Sequence, residues 1–186
     1  DAGTADAGVE RWPGSHPATG EDYARMTKVL IANPGADLYG SDRMMLQTVD
    51  GLVRSGHRVL VTMPYEGALR AEVERRGASV TVLAAPVLRK GYMSPVGLLR
   101  LFRSVLAALR PNTRLLRSER PDVVYVSTIT IPLWIVLARV SRIPVVCHVH
   151  EAEAEASGVV RRALSAPLLQ ADKIILNSRF SRSVHV

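Results

Sequence analysis

Cys147 is the only cysteine in 186 residues, so no internal disulfide can hold the chain together. It lies in an apolar run, where a small buried hydrophobe is the plain reading, and a reducing compartment is expected. Aromatic residues are also scarce, at 5% against 47% apolar residues in total, which implies an aliphatic core of Val, Leu, Ile and Ala. No apolar run reaches the ~18 residues that a membrane span requires, and the acidic, small-residue N-terminus lacks a signal-peptide pattern. The expectation is a soluble domain in the cytoplasm. The sequence has neither zinc-finger spacing nor a basic strand interleaved with aromatics. The net charge of +7 therefore points to phosphates or an acidic membrane surface, with no nucleic-acid partner expected.

What is present is a repeating alternation. Residues 1–27 are rich in Ala, Gly, Asp and Pro without a period, and read as a flexible tail, partly foreign to the natural protein. From Lys28 onward, short β-branched runs alternate with helical stretches. Val29–Ala32, Val59–Thr62, Val80–Leu83, Val123–Val126, Val145–Val149 and Ile174–Leu176 are nearly continuous apolar segments, the pattern of strands covered on both faces. They predict one α/β domain over 28–186, with helices either side of a mostly parallel sheet of about six or seven strands.

The helices carry their own punctuation. Ser41 is placed to cap a helix with an apolar stripe of Met45, Val49, Leu52 and Val53, ended by Gly56. Glu66 to Arg76 reads as a polar helix stopped by Gly77, and Pro132 opens another that runs towards Ser141. Val87 to Arg120 is a longer insertion, which Pro111 is expected to split into two helices.

Ligands of open parallel sheets bind beyond the carboxyl ends of the strands, which directs attention to three loops. After the first strand, Gly35 and Gly40 allow close backbone approach, and the amides beyond Ser41 would attract a phosphate. Neither the G-x-G-x-x-G fingerprint nor a P-loop lysine is present, and an ordinary turning loop explains the glycines as well. At the end of the fifth strand comes Cys147-His-Val-His-Glu151. His148 reads as a buried, satisfied histidine, whereas His150, at the strand terminus, faces the cleft and can donate a hydrogen bond or exchange a proton. The run after His150 lacks the further His and Asp of an H-x-H-x-D-H site, so no metal is expected. After the sixth strand, Ser178 can cap a helix and Arg179 can reach the same cleft, although capping alone would account for the pair.

Together these segments resemble the N-terminal domain of family-four glycosyltransferases, whose GT-B fold sets two Rossmann-like domains face to face. The matching pieces are Val29-Leu-Ile-Ala-Asn-Pro34, Tyr39-Gly-Ser-Asp42, Ser55-Gly-His-Arg-Val-Leu-Val61, Arg120-Pro-Asp-Val-Val-Tyr-Val126, Ile143-Pro-Val-Val-Cys-His-Val-His-Glu151 and Ala171-Asp-Lys-Ile-Ile-Leu-Asn-Ser-Arg-Phe180. They cover essentially all of 28–180, in order. The usual first loop has two adjacent glycines and a Glu, where this chain has Tyr39 and Asp42 in place of one Gly and the Glu.

The resemblance implies a retaining sugar transfer from a nucleotide-diphosphate sugar to an acceptor hydroxyl, with no cofactor or metal. It places Gly40, Ser41 and Asp42 by the donor diphosphate and acceptor, and His150 against the transferred sugar. Glu151 would orient His150 or bind acceptor. It also implies a separate C-terminal domain for most of the donor, absent from this chain, so that the fragment alone would be inactive. The acceptor would be a carbohydrate, a lipid-linked molecule or a small molecule. Arg89, Lys90 and Tyr92, with Leu98, Leu99, Leu101 and Phe102, offer a peripheral contact at the inner face of a membrane, although packing of those apolar residues on the sheet is the favoured expectation. A sugar-nucleotide epimerase of the same fold and a non-catalytic binding module are the alternatives.

Overall fold

The computed structural model describes residues 26–88, 94–149 and 169–176. Six strands, β1 (Lys28–Ala32), β2 (Arg58–Met63), β3 (Ser79–Val82), β4 (Val123–Val126), β5 (Val145–Val149) and β6 (Lys173–Leu176), lie within a residue or so of the six apolar runs. They form one sheet in the order β3-β2-β1-β4-β5-β6, and every pair is parallel. This is the Rossmann order, with a reversal of direction between β1 and β4.

Alternation along each strand separates two cores. Val29 and Ile31 of β1, with Val59, Val61 and Met63 of β2 and Tyr125 of β4, pack against α1 (Gly40–Arg54) and α2 (Ala68–Arg75). Leu30, Ala32, Val124, Val126, Val145, Cys147 and Val149 face the other way, towards α3 (Pro95–Glu119) and α4 (Pro132–Val140). A constant crossover hand explains the split. Connections that move outward from β1 to β3 put their helices on one face, and those moving through β4 to β5 put theirs on the opposite face.

Two aspartates of the sequence segments quoted above serve this architecture. Asp122 takes the backbone N–H of Lys28 on its carboxylate at 2.7 Å, and Asp172 takes that of Val145 at 2.8 Å. Each therefore satisfies the first donor of a neighbouring strand at the amino edge of the sheet, opposite the ligand-binding edge. Asp172 also pairs with Arg139.

The structure corrects three local expectations. Ser41 does not cap α1. The helix begins at Gly40 with Tyr39 at the cap position, and the Asp42 carboxylate reaches back to the Tyr39 N–H at 3.0 Å, so Ser41 is an exposed first-turn residue. Gly56 does follow the helix, with a φ of 82°.

Pro111 does not divide the insertion, because α3 runs unbroken for 25 residues, capped by the Ser94 hydroxyl on Gly97 N–H. Pro111 is exposed, while Ala108, Asn112 and Leu116 are buried against the α4 core. Burial of that stripe outweighs the bond that Pro111 forfeits. Asn112 reinforces the segment by donating to Ala108 O at 2.8 Å and to Ala84 O at 3.2 Å, tying α3 to the connection after β3.

The apolar residues at the start of α3 do not pack on the sheet. Leu98, Leu99 and Phe102 are exposed, and Leu101 is half-buried.

Candidate functional site

With all six strands parallel, their carboxyl ends share one edge, and the reversal between β1 and β4 opens the crevice in which such sheets take ligands. Asn33 immediately follows β1 and Ser127 immediately follows β4. Both are buried, and the Ser127 hydroxyl donates to Asn33 Oδ1 at 2.7 Å. The Asn33 amide in turn donates to Asp42 Oδ1 at 2.9 Å and to Gly35 O at 3.1 Å.

These bonds join the ends of β1 and β4 to the first turn of α1. Asp42 is buried, and its two oxygens are taken by Asn33 and by the Tyr39 N–H, so its carboxylate fixes the path of residues 33–42. A carboxylate so engaged, and supplied with a charge-assisted donor, holds its loop more firmly than a neutral cap would.

Gly67 closes the same loop from the side. Its neighbour in space is the Ala36 backbone, and a Cβ at Gly67 would stand 2.3 Å from Ala36 O. Leu69 N–H then donates to that carbonyl at 3.0 Å. Only glycine permits this approach.

Gly40 and Ser41 stay exposed at the helix start, ahead of the first ladder bond from Arg43 N–H to Tyr39 O. Their amides fall among those that a helix leaves without partners. A Cβ at Gly40 would meet nothing within 4 Å, so the space above it is open. The arrangement can receive an anion or a polar ligand on backbone N–H groups, with the helix macrodipole in favour.

The fifth strand reaches the same edge two strands from β1, a span of roughly 10 Å at the usual strand spacing. Val145, Cys147 and Val149 face α4, while His148 points to the α1 side and is buried. The His148 ring meets Tyr125 edge-on, with centroids 5.9 Å apart at 79°, and its Nδ1 shares a hydrogen bond with the Tyr125 hydroxyl. His148 is thus a satisfied core residue, as its sequence position suggests. Burial pushes the Tyr125 phenol up and the Cys147 thiol up to about 12, so Cys147 stays protonated and is no nucleophile.

His150, Glu151, Ser178 and Arg179 lie outside the described residues, as do Arg89, Lys90 and Tyr92 and the tail before Met26. Among the described residues no three His, Cys, Asp or Glu side chains gather as a metal site would require, and no helix is long and apolar enough to cross a membrane. Sequence reading passed over Asn33, Ser127 and Gly67 as site-forming residues. The strand-end rule applied to β4 would have found Ser127, whereas the close approach of Gly67 to Ala36 joins loops 31 residues apart and has no local sign.

Solved structures share this fold. HepE of Anabaena, crystallised with UDP and glucose, superposes with a TM-score of 0.62 at 18% identity over 86% of this chain and 40% of its own. A glycosyltransferase from Rickettsia africae gives 0.62 at 13% identity, over 85% of this chain and 38% of its own. MurG of Acinetobacter baumannii gives 0.57 at 17%, over 81% and 41%. At such identities the likeness is one of fold. The chain spans about 40% of the length of the HepE chain it matches. No curated protein matches its sequence. Residues 40–183, most of the chain, match the glycosyl transferase 4-like domain, beginning at the glycine that opens α1. The chain belongs to the glycosyl transferase 4-like domain family.

Proposed function

We propose that the chain is the acceptor-side half of a GT-B glycosyltransferase, acting with a C-terminal domain that holds most of a nucleotide-diphosphate sugar. The single observation that carries this reading is the family match over 40–183, which begins at Gly40, where the exposed amides of α1 meet open space at the switch point of the sheet. Residues 33–42, held from below by Asn33, Asp42 and Ser127, form the floor of the transfer cleft. The Gly40 and Ser41 amides face the donor diphosphate, where charge grows as the sugar departs. Asp42 serves by fixing those amides.

The role against the transferred sugar is assigned to His150, which follows β5 in sequence, with Glu151 orienting it or binding acceptor. Ser178 and Arg179, which follow β6 in sequence, are assigned to substrate binding. Transfer proceeds with retention and without a metal or other cofactor. The acceptor oxygen bonds to the anomeric carbon as the bond from that carbon to the diphosphate breaks on the same face, and the acceptor proton passes to a departing phosphate oxygen. The protein contributes positioning and charge stabilisation. The acceptor is a carbohydrate, a lipid-linked molecule or a small molecule, met in the cytoplasm at the inner face of a membrane.

The test is to supply the full-length protein with a panel of nucleotide-diphosphate sugars and acceptors and to read the anomeric configuration of the product by NMR. A product with the donor's configuration is expected. Epimerised donor without transfer, or an inverted product, would overturn the retaining-transferase reading.

A further inference from the structure

The arginines of the molecule fall into two populations. Around α2 they are neutralised by acids close in sequence: Arg70 pairs with Glu66 and Glu74, and Arg75 and Arg76 both pair with Glu72. In α3 they are not. Arg100, Arg103, Arg110, Arg114 and Arg117 are all exposed, and none makes an ion pair among the described residues. The sequence contains no Asp or Glu between Glu74 and Glu119, so no acid of this helix precedes its last residue.

Beside that charge lies uncovered apolar surface. The C-terminal half of α3 is anchored through Ala108, Asn112 and Leu116, but between Ser94 and Ala107 only Gly97 is buried. Leu99 and Phe102 are each 59% exposed and Leu106 51%. Their i, i+3, i+7 spacing makes one stripe, extended by Leu98 at i−4 from Phe102. Arg103, Arg110 and Arg114, at i, i+7 and i+11, share a helix face and form the adjacent ridge. An apolar stripe flanked by arginines that make no ion pair among the described residues is the make-up of a helix that lies in a lipid interface.

We propose that α3 docks the protein on an anionic phospholipid bilayer, with Leu98, Leu99, Phe102 and Leu106 of its first half entering the acyl boundary and Arg103, Arg110 and Arg114 along its length meeting lipid phosphates. This assigns a surface and a lipid charge to the membrane contact of the proposed function, and rests on that part of it. A second copy of the chain fits less well, because stacking two such helices would bring their arginine ridges together with no acid of α3 between them before Glu119. A nucleic acid would meet the arginines but leave the leucines in water.

Co-sedimentation of the full chain with vesicles tests this, and needs no sugar donor, so its failure leaves the transfer reading standing and the reverse also holds. Vesicles of phosphatidylcholine and phosphatidylglycerol in equal amounts should bind the chain, and phosphatidylcholine alone should not. Each Arg to Gln change at Arg103 or Arg110 should weaken binding about fivefold, since a cation near an anionic leaflet contributes about 1 kcal/mol. Phe102→Ser should weaken it about tenfold, by loss of a buried aromatic ring. Arg75→Gln on α2 should have no effect. Circular dichroism melts establish that each variant is folded. The inference fails if the chain ignores phosphatidylglycerol, if the α3 variants bind as well as Arg75→Gln, or if size exclusion gives a dimer that Phe102→Ser dissolves while vesicle binding is absent.

Discussion

Asn33 shows how one amide can hold a loop and two strands at once. Its amide donates to Asp42 and Gly35 and its oxygen accepts from Ser127, and Asn33, Asp42 and Ser127 are all buried. Asn33→Ala strands the Asp42 carboxylate and the Ser127 hydroxyl together, and should cost about 2 kcal/mol in a urea unfolding curve, within the range for a lost bond to a buried charged group. A loss well under 1 kcal/mol would mean that solvent reaches the cluster. Cys147 makes a second prediction at this scale. Burial raises its thiol from 9.0 to about 12, so the folded chain keeps a proton that the unfolded chain sheds in that interval. The stability contribution is complete below pH 9.0 and fades as pH climbs towards about 12. Melting temperatures across that window should fall more steeply for the native chain than for Cys147→Ala, and parallel curves would refute the burial argument.

Elements were the most legible part of the sequence. Strands covered on both faces leave a near-continuous apolar record, so β4 and β5 have the bounds their runs implied. The cap of α1 was less legible. Ser at the fold's helix start is a common signal, but the buried carboxylate three residues after Tyr39 won the position because it also gains Asn33 as a donor. Pro111 misled for a related reason: its local penalty is visible in sequence, whereas the buried stripe of Ala108, Asn112 and Leu116 that offsets it exists only once α4 is packed beside it. Replacing Pro111 with Ala should therefore leave α3 continuous and raise stability by about 2 kcal/mol, the helix gain less the entropy returned to the unfolded chain. A loss of stability on that substitution would show that the ring packs in a way its exposed position contradicts.

On the scale of the whole molecule, residues far apart in sequence meet because a parallel sheet gathers its strand ends on one edge. The amino edge carries the aspartate staples Asp122 and Asp172, and the carboxyl edge carries the open space above Gly40. The sequence segments that resemble the family thus divide between the amino edge, where Asp122 and Asp172 hold the sheet, and the carboxyl edge, where Asn33 and Asp42 hold the loop after β1. As proposed, residues 33–42 floor a sugar-transfer cleft. Gly40→Ala in the full-length enzyme tests it, because a methyl group there touches no other part of the described fold. Unchanged or slightly raised melting temperature with kcat/KM lowered on the order of a hundredfold is the predicted result, since a misplacement of donor against acceptor by about 1 Å is that costly. Undiminished kcat/KM in that stably folded variant would contradict it.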